Sequence, residues 1–475
     1  MKILHLTASY KPAYVYGGPI MSVSMLCEGL AKSGKLKAES RKLKAESSKR
    51  KMESGEFNLE VFTTTANGRN ELDVESRKPI FIDGVPVTYF KRWTKDHSHF
   101  SPGLLWRLRK VLLESQKWKA ESKKQRAESG ICNPSPISQT AKINPSEGRQ
   151  KPPRLAGTPP KEGNEIVIHI HAWWNLVSVL SCFVAKWYKI PVVLSPRGML
   201  TTYSQNNSSS FSKKILQWLI GDRLLRYCHI HVTSEQEKQD VLKIIQPRSI
   251  NIISNLVSLG RECVEPQVVS SKYQISSSKY QVATSEVQKS SQILNLIFLS
   301  RIEKKKGLEL LFDALSKLDF EFNLTIAGSG EEEYVKSLKL KAKSLRLEDR
   351  LTWIGQVGND EKFSIMAAHD LLVLPSYNEN FANVVVESLS IGTPVLISEN
   401  VGLADYVKAN ELGWICSLEP KDIAEKIIEA NASIAKREKI SSIAPIMIKN
   451  DFNDEVLIGR YLELYEDVLG FHSEN

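Results

Sequence analysis

Short apolar runs rich in β-branched residues alternate along most of the chain with segments of helical periodicity. In the first half the runs are KILHLT, FNLEVFTTT, VPVTYF, EIVIHIHA, PVVLS, CHIHVT and INIIS. In the second half they are LNLIFLS, FNLTIAG, LTWIG, DLLVLP and PVLIS, separated by helical stretches such as 307–317 and 331–345. Strand and helix alternating in this way predict parallel sheets with helices on both faces, and two such series predict two doubly wound α/β domains. Sheets of this kind bind ligands at the C-terminal edges of their strands, so two of them place a site in the cleft between them.

Three biased stretches interrupt the alternation. KLKAES occurs at 35–40 and again at 42–47, and KAES and RAES recur between Lys119 and Ser129, followed by a stretch rich in Pro, Ser and Lys. Residues 35–54 and about 117–163 therefore read as surface insertions, largely disordered or partly helical, because they carry too little apolar surface to offset chain entropy. A third stretch, SSKYQISSSKYQVATSEVQKSS, lies where a linker belongs. The division expected is a first domain over 1–262, a linker over 263–292, a second domain over 293–448, and a closing helix over 449–475 that crosses back to the first domain.

Composition changes the picture mainly by exclusion. The 475 residues are two or three times the usual ~150 per domain, consistent with two domains. The formal charge of +10 invites a nucleic-acid or membrane reading, but residues 35–53 carry +5 and 117–161 carry +7, leaving about −2 for the rest. The basicity belongs to the insertions, and no nucleic-acid partner is expected. Six scattered cysteines without a C-x-x-C pair argue against a disulfide framework or zinc site and suit a reducing cytoplasm. Neither an export signal nor a run of ~18 apolar residues is read.

The densest chemistry lies in PSYNENFANVVVESLSIGTPV, where Glu379 follows a strand and Glu387 sits inside the next helix with seven residues between them. A carboxylate accepts two hydrogen bonds from vicinal hydroxyls, so two of them at this edge suit a sugar and a ribose. Backbone N–H groups of Asn380, Phe381 and Ala382, near the helix start, can meet an anionic or hydroxyl-rich ligand. An isolated pair of this kind reads more readily as a helix cap and a solvated helix residue. In FLSRIEKKKGLELLFDAL, Arg301 and Lys306 bracket a strand end and a helix start. Fixed cations there suit a departing diphosphate, although EKKKG alone reads as a surface lysine run.

These motifs resemble the signature of the retaining glycosyltransferases of family four, which have the GT-B fold of two facing Rossmann-like domains. Glu379, Glu387, Gly392, Pro394 and Val395 match that signature, and Arg301, Lys306 and the following glycine match a second one. The resemblance implies that Glu379 contacts the donor sugar, Glu387 the donor ribose, and Arg301 and Lys306 the diphosphate. Asn380 stands where the family commonly has Gly. By the same resemblance, Gly17 and Gly18 open a loop toward donor phosphates and acceptor, and the 402–407 loop, with Gly402 and Leu403, offers backbone amides to the diphosphate. A functional histidine belongs at the end of EIVIHIHA; His171 is chosen over His169, against a reading of both as core-facing. Arg197, in SPRGML, is an acceptor contact.

The expectation is a cytoplasmic, retaining glycosyltransferase that moves a sugar from a nucleotide-sugar donor to a hydroxyl of a glycan or lipid-linked glycan. A lipid-linked acceptor would bring it to the inner face of a membrane. No cofactor is expected beyond the nucleotide sugar as co-substrate, and no metal, since the chain lacks any Asp-x-Asp. The alternatives are a GT-B sugar-nucleotide epimerase, or a non-catalytic protein whose basic insertions bind anionic surfaces while the site is a relic.

Overall fold

The computed structural model describes residues 1–47, 58–94, 98–128, 165–201, 221–260 and 293–473. The insertion expectations for 48–54 and 129–163, and the linker at 263–292, lie outside these residues. The described parts of the two repeats, 35–47 and 117–128, are helical continuations.

The first half contributes strands β1 (Lys2–Leu6), β2 (Asn58–Thr64), β3 (Ala66–Asn67), β4 (Asn70–Glu71), β5 (Pro79–Ile82), β6 (Val85–Phe90), β7 (Ile166–His171), β8 (Val192–Ser195), β9 (His229–Val232) and β10 (Ser249–Ile252). Its helices are α1 (Gly18–Ser47), α2 (Pro102–Glu128), α3 (Leu176–Trp187), α4 (Asp222–Leu225) and α5 (Glu235–Ile244). The second half contributes β11 (Leu294–Leu299), β12 (Phe322–Ala327), β13 (Leu351–Gly355), β14 (Leu371–Leu374), β15 (Val395–Ser398) and β16 (Gly413–Cys416). Its helices are α6 (Leu308–Leu315), α7 (Glu332–Ser344), α8 (Asn359–Ala367), α9 (Asn383–Ser390), α10 (Ala404–Ala409), α11 (Pro420–Ala432), α12 (Ile434–Asp451) and α13 (Asp454–Ser473).

Two large sheets result, in the orders β10-β9-β8-β7-β1-β2-β6-β5 and β13-β12-β11-β14-β15-β16, beside a small two-stranded sheet of β3 and β4. The second is a doubly wound order whose direction of winding reverses between β11 and β14; the first reverses between β1 and β7. Such switch points open crevices at the strand C-termini, where ligands bind. β3 and β4 pair antiparallel, and the pairing in the two large sheets is parallel except at the edge, where β5 runs antiparallel to β6. That strand and β16 are absent from the runs read in the sequence. β5 is turned by Asp83-Gly84, both at positive φ (48° and 81°), the two-residue geometry that joins neighbouring antiparallel strands.

Side chains alternate across the first sheet. Leu4, Leu6, Ile168, Ile170 and Leu194 pack toward α2 and α3, whereas Ile3, Val167 and Val193 face α1 and α13. The chain's closing helix thus seats Leu457, Tyr461, Leu464, Tyr465 and Val468 on the first sheet. Each fully buried aliphatic side chain there stabilises by roughly 1.5–3 kcal/mol. Gly29 of α1 lets α13 come close: a β-carbon at 29 would lie 2.7 Å from Ile458.

Candidate active site

The motif residues of the second domain gather at its switch point. Lys306, at the turn before α6, is buried and ion-paired with Glu379, which leaves the end of β14. The Tyr377 N–H donates to the Lys305 carbonyl (2.9 Å), tying the two loops together. Gly307 is required at this crossing, because φ is 73° and a β-carbon would run into the Pro375 carbonyl. Lys305, not read as a site residue in the sequence, lies partly buried beside Glu379, and desolvation lowers its pKa.

The 379–382 loop is braced by the next one: the Glu379 N–H donates to Asn400 O (3.0 Å) and the Gly402 N–H to Glu379 O (2.8 Å). Any side chain at 402 would collide with the Asn380 carbonyl. Ala382 adopts φ 67° at the start of α9, and no side chain caps that helix, which leaves its first N–H groups for a ligand. Phe381 and Leu403 turn their side chains into the second domain's core. Only their backbone is then left to meet a ligand.

Glu387 is buried, not the solvated residue that an isolated E-x7-E suggests. Lys362 of α8 donates to its Oε1 at 2.7 Å, with both side chains 11% exposed. Desolvation raises the Glu387 pKa and the Lys362 charge opposes that rise. Lys362, which the sequence does not single out, is 25 positions away, and only the packing of α8 on α9 makes the pair. Arg301 stands apart from Lys306: it is exposed, pairs with Glu303 at 2.7 Å, and lays its stem against Gly17 of the first domain. The two expected diphosphate cations thus approach from separate partners.

On the first domain, Arg197 follows β8 at φ 52°, and Gly198 follows at φ 75°. Asn380 crosses to this side, its Nδ2 donating to Thr233 Oγ1 (2.7 Å) while Ser234 Oγ donates to the Asn380 carbonyl (3.1 Å). Beneath them Glu237, also missed in the sequence, is buried and accepts from the N–H groups of Gly198 (2.8 Å) and Thr233 (2.9 Å). It fixes the turn that carries Arg197.

His171 does end β7, but inside the protein. Parallel pairing sets His5 opposite His169, and alternation puts His5, His169, His171 and His231 on the face covered by α13. All four are at most 1% exposed. Burial pushes His5 and His231 down to about 3 and holds His169 and His171 well below the usual histidine range, so the rings are neutral. Three of them bring ring nitrogens within 4.8 Å of one another, a spacing that could suit a metal ion. The cluster does not fit a cation, because hydrogen bonds occupy both nitrogens of His169 and the facing nitrogens of His5 and His171, with the Arg197 guanidinium 3.3 Å from His171. Instead the protons are ordered. The Ile253 carbonyl can only accept, so His231 Nε2 donates to it (2.9 Å). Ser195 then donates to His231 Nδ1 (2.6 Å), His169 Nε2 to Ser195 (2.7 Å), and Tyr465 to His169 Nδ1 (2.8 Å).

Residues 285–446 match the family model described as glycosyl transferases group 1. Over 186 residues the chain is 25% identical to N-acetyl-alpha-D-glucosaminyl L-malate synthase of Bacillus anthracis, covering 38% of this chain and 47% of that protein. Over 185 residues it is 27% identical to phosphatidyl-myo-inositol mannosyltransferase of Mycobacterium tuberculosis, covering 37% and 47%. The chain spans about half the length of these relatives. Among solved structures, Anabaena Alr3699/HepE in complex with UDP and glucose superposes with a TM-score of 0.62 at 16% identity, over 98% of this chain and 100% of that one. The two parallel α/β domains are those of the GT-B fold.

Proposed function

We propose that this chain, a member of the glycosyl transferases group 1 through its second domain, moves a sugar from a nucleotide-sugar donor to a hydroxyl of a glycan or lipid-linked glycan. The observation that carries the reading is the pair of lysine-held carboxylates, Glu379 with Lys306 and Glu387 with Lys362, at the ligand edge of the matched domain. A nucleoside diphosphate is the complement of that edge: vicinal hydroxyls for carboxylates, and phosphates for Arg301, Lys305, Lys306 and the open start of α9. The complex of the Anabaena structure with UDP and glucose supports the same ligand class.

In this reading Glu387 receives the ribose and Glu379 the donor sugar, exchanging its bond to Lys306 for the sugar hydroxyls. Lys306 and its neighbouring cations then stabilise the charge that grows on the leaving diphosphate. The acceptor lies against the first domain near Gly17, Gly18 and Arg197, and attack from the face the diphosphate leaves retains configuration. These cations take the place of a metal. Among the described residues no helix is long and apolar enough to cross a membrane, and we place the enzyme in the cytoplasm, meeting a lipid-linked acceptor at the membrane surface.

The test is a panel of nucleotide sugars scored by thermal shift and slow donor hydrolysis, on wild type and Glu387→Ala. Stabilisation by one nucleotide sugar, lost in the variant, is expected. Folded protein that responds to none of the panel would overturn the reading.

A further inference from the structure

The second domain carries a cavity on the side away from its motif loops. His369 and Asp370 precede β14 and Pro394 precedes β15. They therefore stand at the N-terminal ends of parallel strands whose C-terminal ends lead to Glu379 and Gly402. Strand β14 has four residues, a span of roughly 13 Å, and at least that length separates the cavity from the cleft. The other wall is one face of α12, because Ile434, Arg437, Glu438, Ser441 and Ser442 recur at the spacing of a single helical stripe. That wall is fixed in place: Ser441 Oγ donates to the Gly392 carbonyl (2.6 Å), and a β-carbon at Gly392 would lie 2.6 Å from the Ser441 carbonyl oxygen. The cavity holds about 530 Å³, a size that suits small ligands.

Its polar groups differ in the hydrogen bonds they have left to make. Ser441 and Ser442 use their protons on the Gly392 and Lys439 carbonyls, so their hydroxyl oxygens remain as acceptors. His369 Nδ1 donates to the Ile365 carbonyl (2.7 Å) and its Nε2 accepts from Thr325 (2.8 Å), which leaves the ring no polar atom for a ligand. Arg437 places Nη1 3.2 Å from Asp370 Oδ1, and its Nε is buried without a partner among the described residues. Asp370 Oδ2 accepts the Asn295 N–H (2.8 Å), and the exposed Glu438 adds a second carboxylate. Two carboxylates against one guanidinium disfavour an anionic occupant. A lining rich in acceptors, with one forked donor and the apolar Pro394 and Ile434, is the complement of a sugar ring, whose hydroxyls donate and accept and whose C–H face is apolar.

We propose that this cavity is a second carbohydrate site, which holds one neutral sugar residue outside the catalytic cleft. The recognition chemistry stands on the cavity alone; its role, tethering a glycan acceptor while another part of the chain meets the cleft, rests on the glycosyl-transfer reading above.

The test is methyl NMR of the full chain labelled at the isoleucine δ1 methyls, with the Ile434 signal assigned by Ile434→Val. Methyl glucoside, methyl galactoside, methyl mannoside and N-acetylglucosamine are each titrated to ~50 mM, well above a Kd of ~1 mM. Glucuronate, inorganic phosphate and methylammonium serve as charged contrasts. At least one neutral sugar is expected to shift Ile434. Glu438→Ala, at an exposed position, removes a charged acceptor and is expected to raise the Kd of that sugar about tenfold, as is Ser442→Trp by filling the mouth. In transfer assays both variants should raise the KM of a long glycan acceptor more than that of a single-sugar acceptor, with donor KM and kcat unchanged. Silence at Ile434 with every neutral sugar, a stronger response to any charged probe, or an unchanged Kd in Glu438→Ala would overturn the site. Equal KM changes for long and short acceptors would overturn the tethering role. If Ser442→Trp does not fold, Glu438→Ala decides. A wild type inert toward every nucleotide sugar would count against glycosyl transfer, while the Ile434 titration still decides whether the cavity binds sugar.

Discussion

Replacing Lys362 with Met isolates the electrostatics of the second carboxylate. The side chain keeps its length and apolar stem, but Glu387 loses the ammonium held 2.7 Å from its Oε1, in a site where both side chains are 11% exposed. Removing one partner of a buried ion pair costs about 3–5 kcal/mol, because the remaining charge is left uncompensated. At roughly 2–4 °C per kcal/mol for a domain of this size, that lowers Tm by about 6–20 °C at pH 8. The pH dependence gives the cause. Burial already raises the Glu387 pKa against the pull of Lys362, and without Lys362 it rises further. A carboxyl whose folded pKa lies above its unfolded value is destabilising while ionised, and the folded state gains stability as pH falls through the folded pKa. The Tm gap between variant and wild type should therefore narrow from pH 8 to pH 5, and Lys362→Met/Glu387→Gln should close most of it at every pH. Nucleotide-sugar stabilisation of the variant should weaken as pH falls, because on our reading a protonated Glu387 no longer accepts from two ribose hydroxyls, and should return in part as pH rises. A Tm within ~1 °C of wild type across this range, against the 3–5 kcal/mol worked above, would refute the reasoning.

Asn380→Gly removes the 2.7 Å bond to Thr233 that joins the domains; small-angle scattering should show a more open ligand-free particle, and an unchanged profile would mean Asn380 holds nothing closed. Gly402→Ala drives a methyl into the Asn380 carbonyl and should reduce donor binding by displacing the Glu379 loop, read by calorimetric titration; wild-type affinity would show that the loop relaxes freely. The four buried histidines stay neutral well below pH 6.5 in the folded state, with His5 and His231 at about 3, whereas the unfolded chain protonates them near 6.5. Stability is thus complete above pH 6.5 and falls with pH below it, by up to about 1.4 kcal/mol per pH unit for each histidine. Calorimetric unfolding at pH 5.5 should take up about four protons from this cluster alone, and uptake below two would contradict a neutral cluster.

The doubly wound architecture was legible because buried parallel strands and amphipathic helices leave different periods in the sequence. The antiparallel β5 escaped because its pairing depends on a two-residue turn, and β16 because four residues of GWIC are too few to show a period. Glu379 and Glu387 were legible as a motif, while their cations divided: Lys306 is part of a motif, but Lys362 meets Glu387 only through helix packing.

The histidines show where the limit lies. Spacing alone puts His169 and His171 on one face of a strand, and a strand-end histidine invites a role in contact with ligand. What decides its role is what covers that face. His5, 166 positions before His171, becomes its partner only because β1 and β7 pair in parallel and in register. Tyr465, 296 positions beyond His169, reaches it only because α13 returns from the second domain to cover the sheet. Neither sheet order nor helix docking is encoded near the motif. A residue whose type and strand position suit ligand contact is thereby enclosed among the side chains of a neighbouring strand and the closing helix.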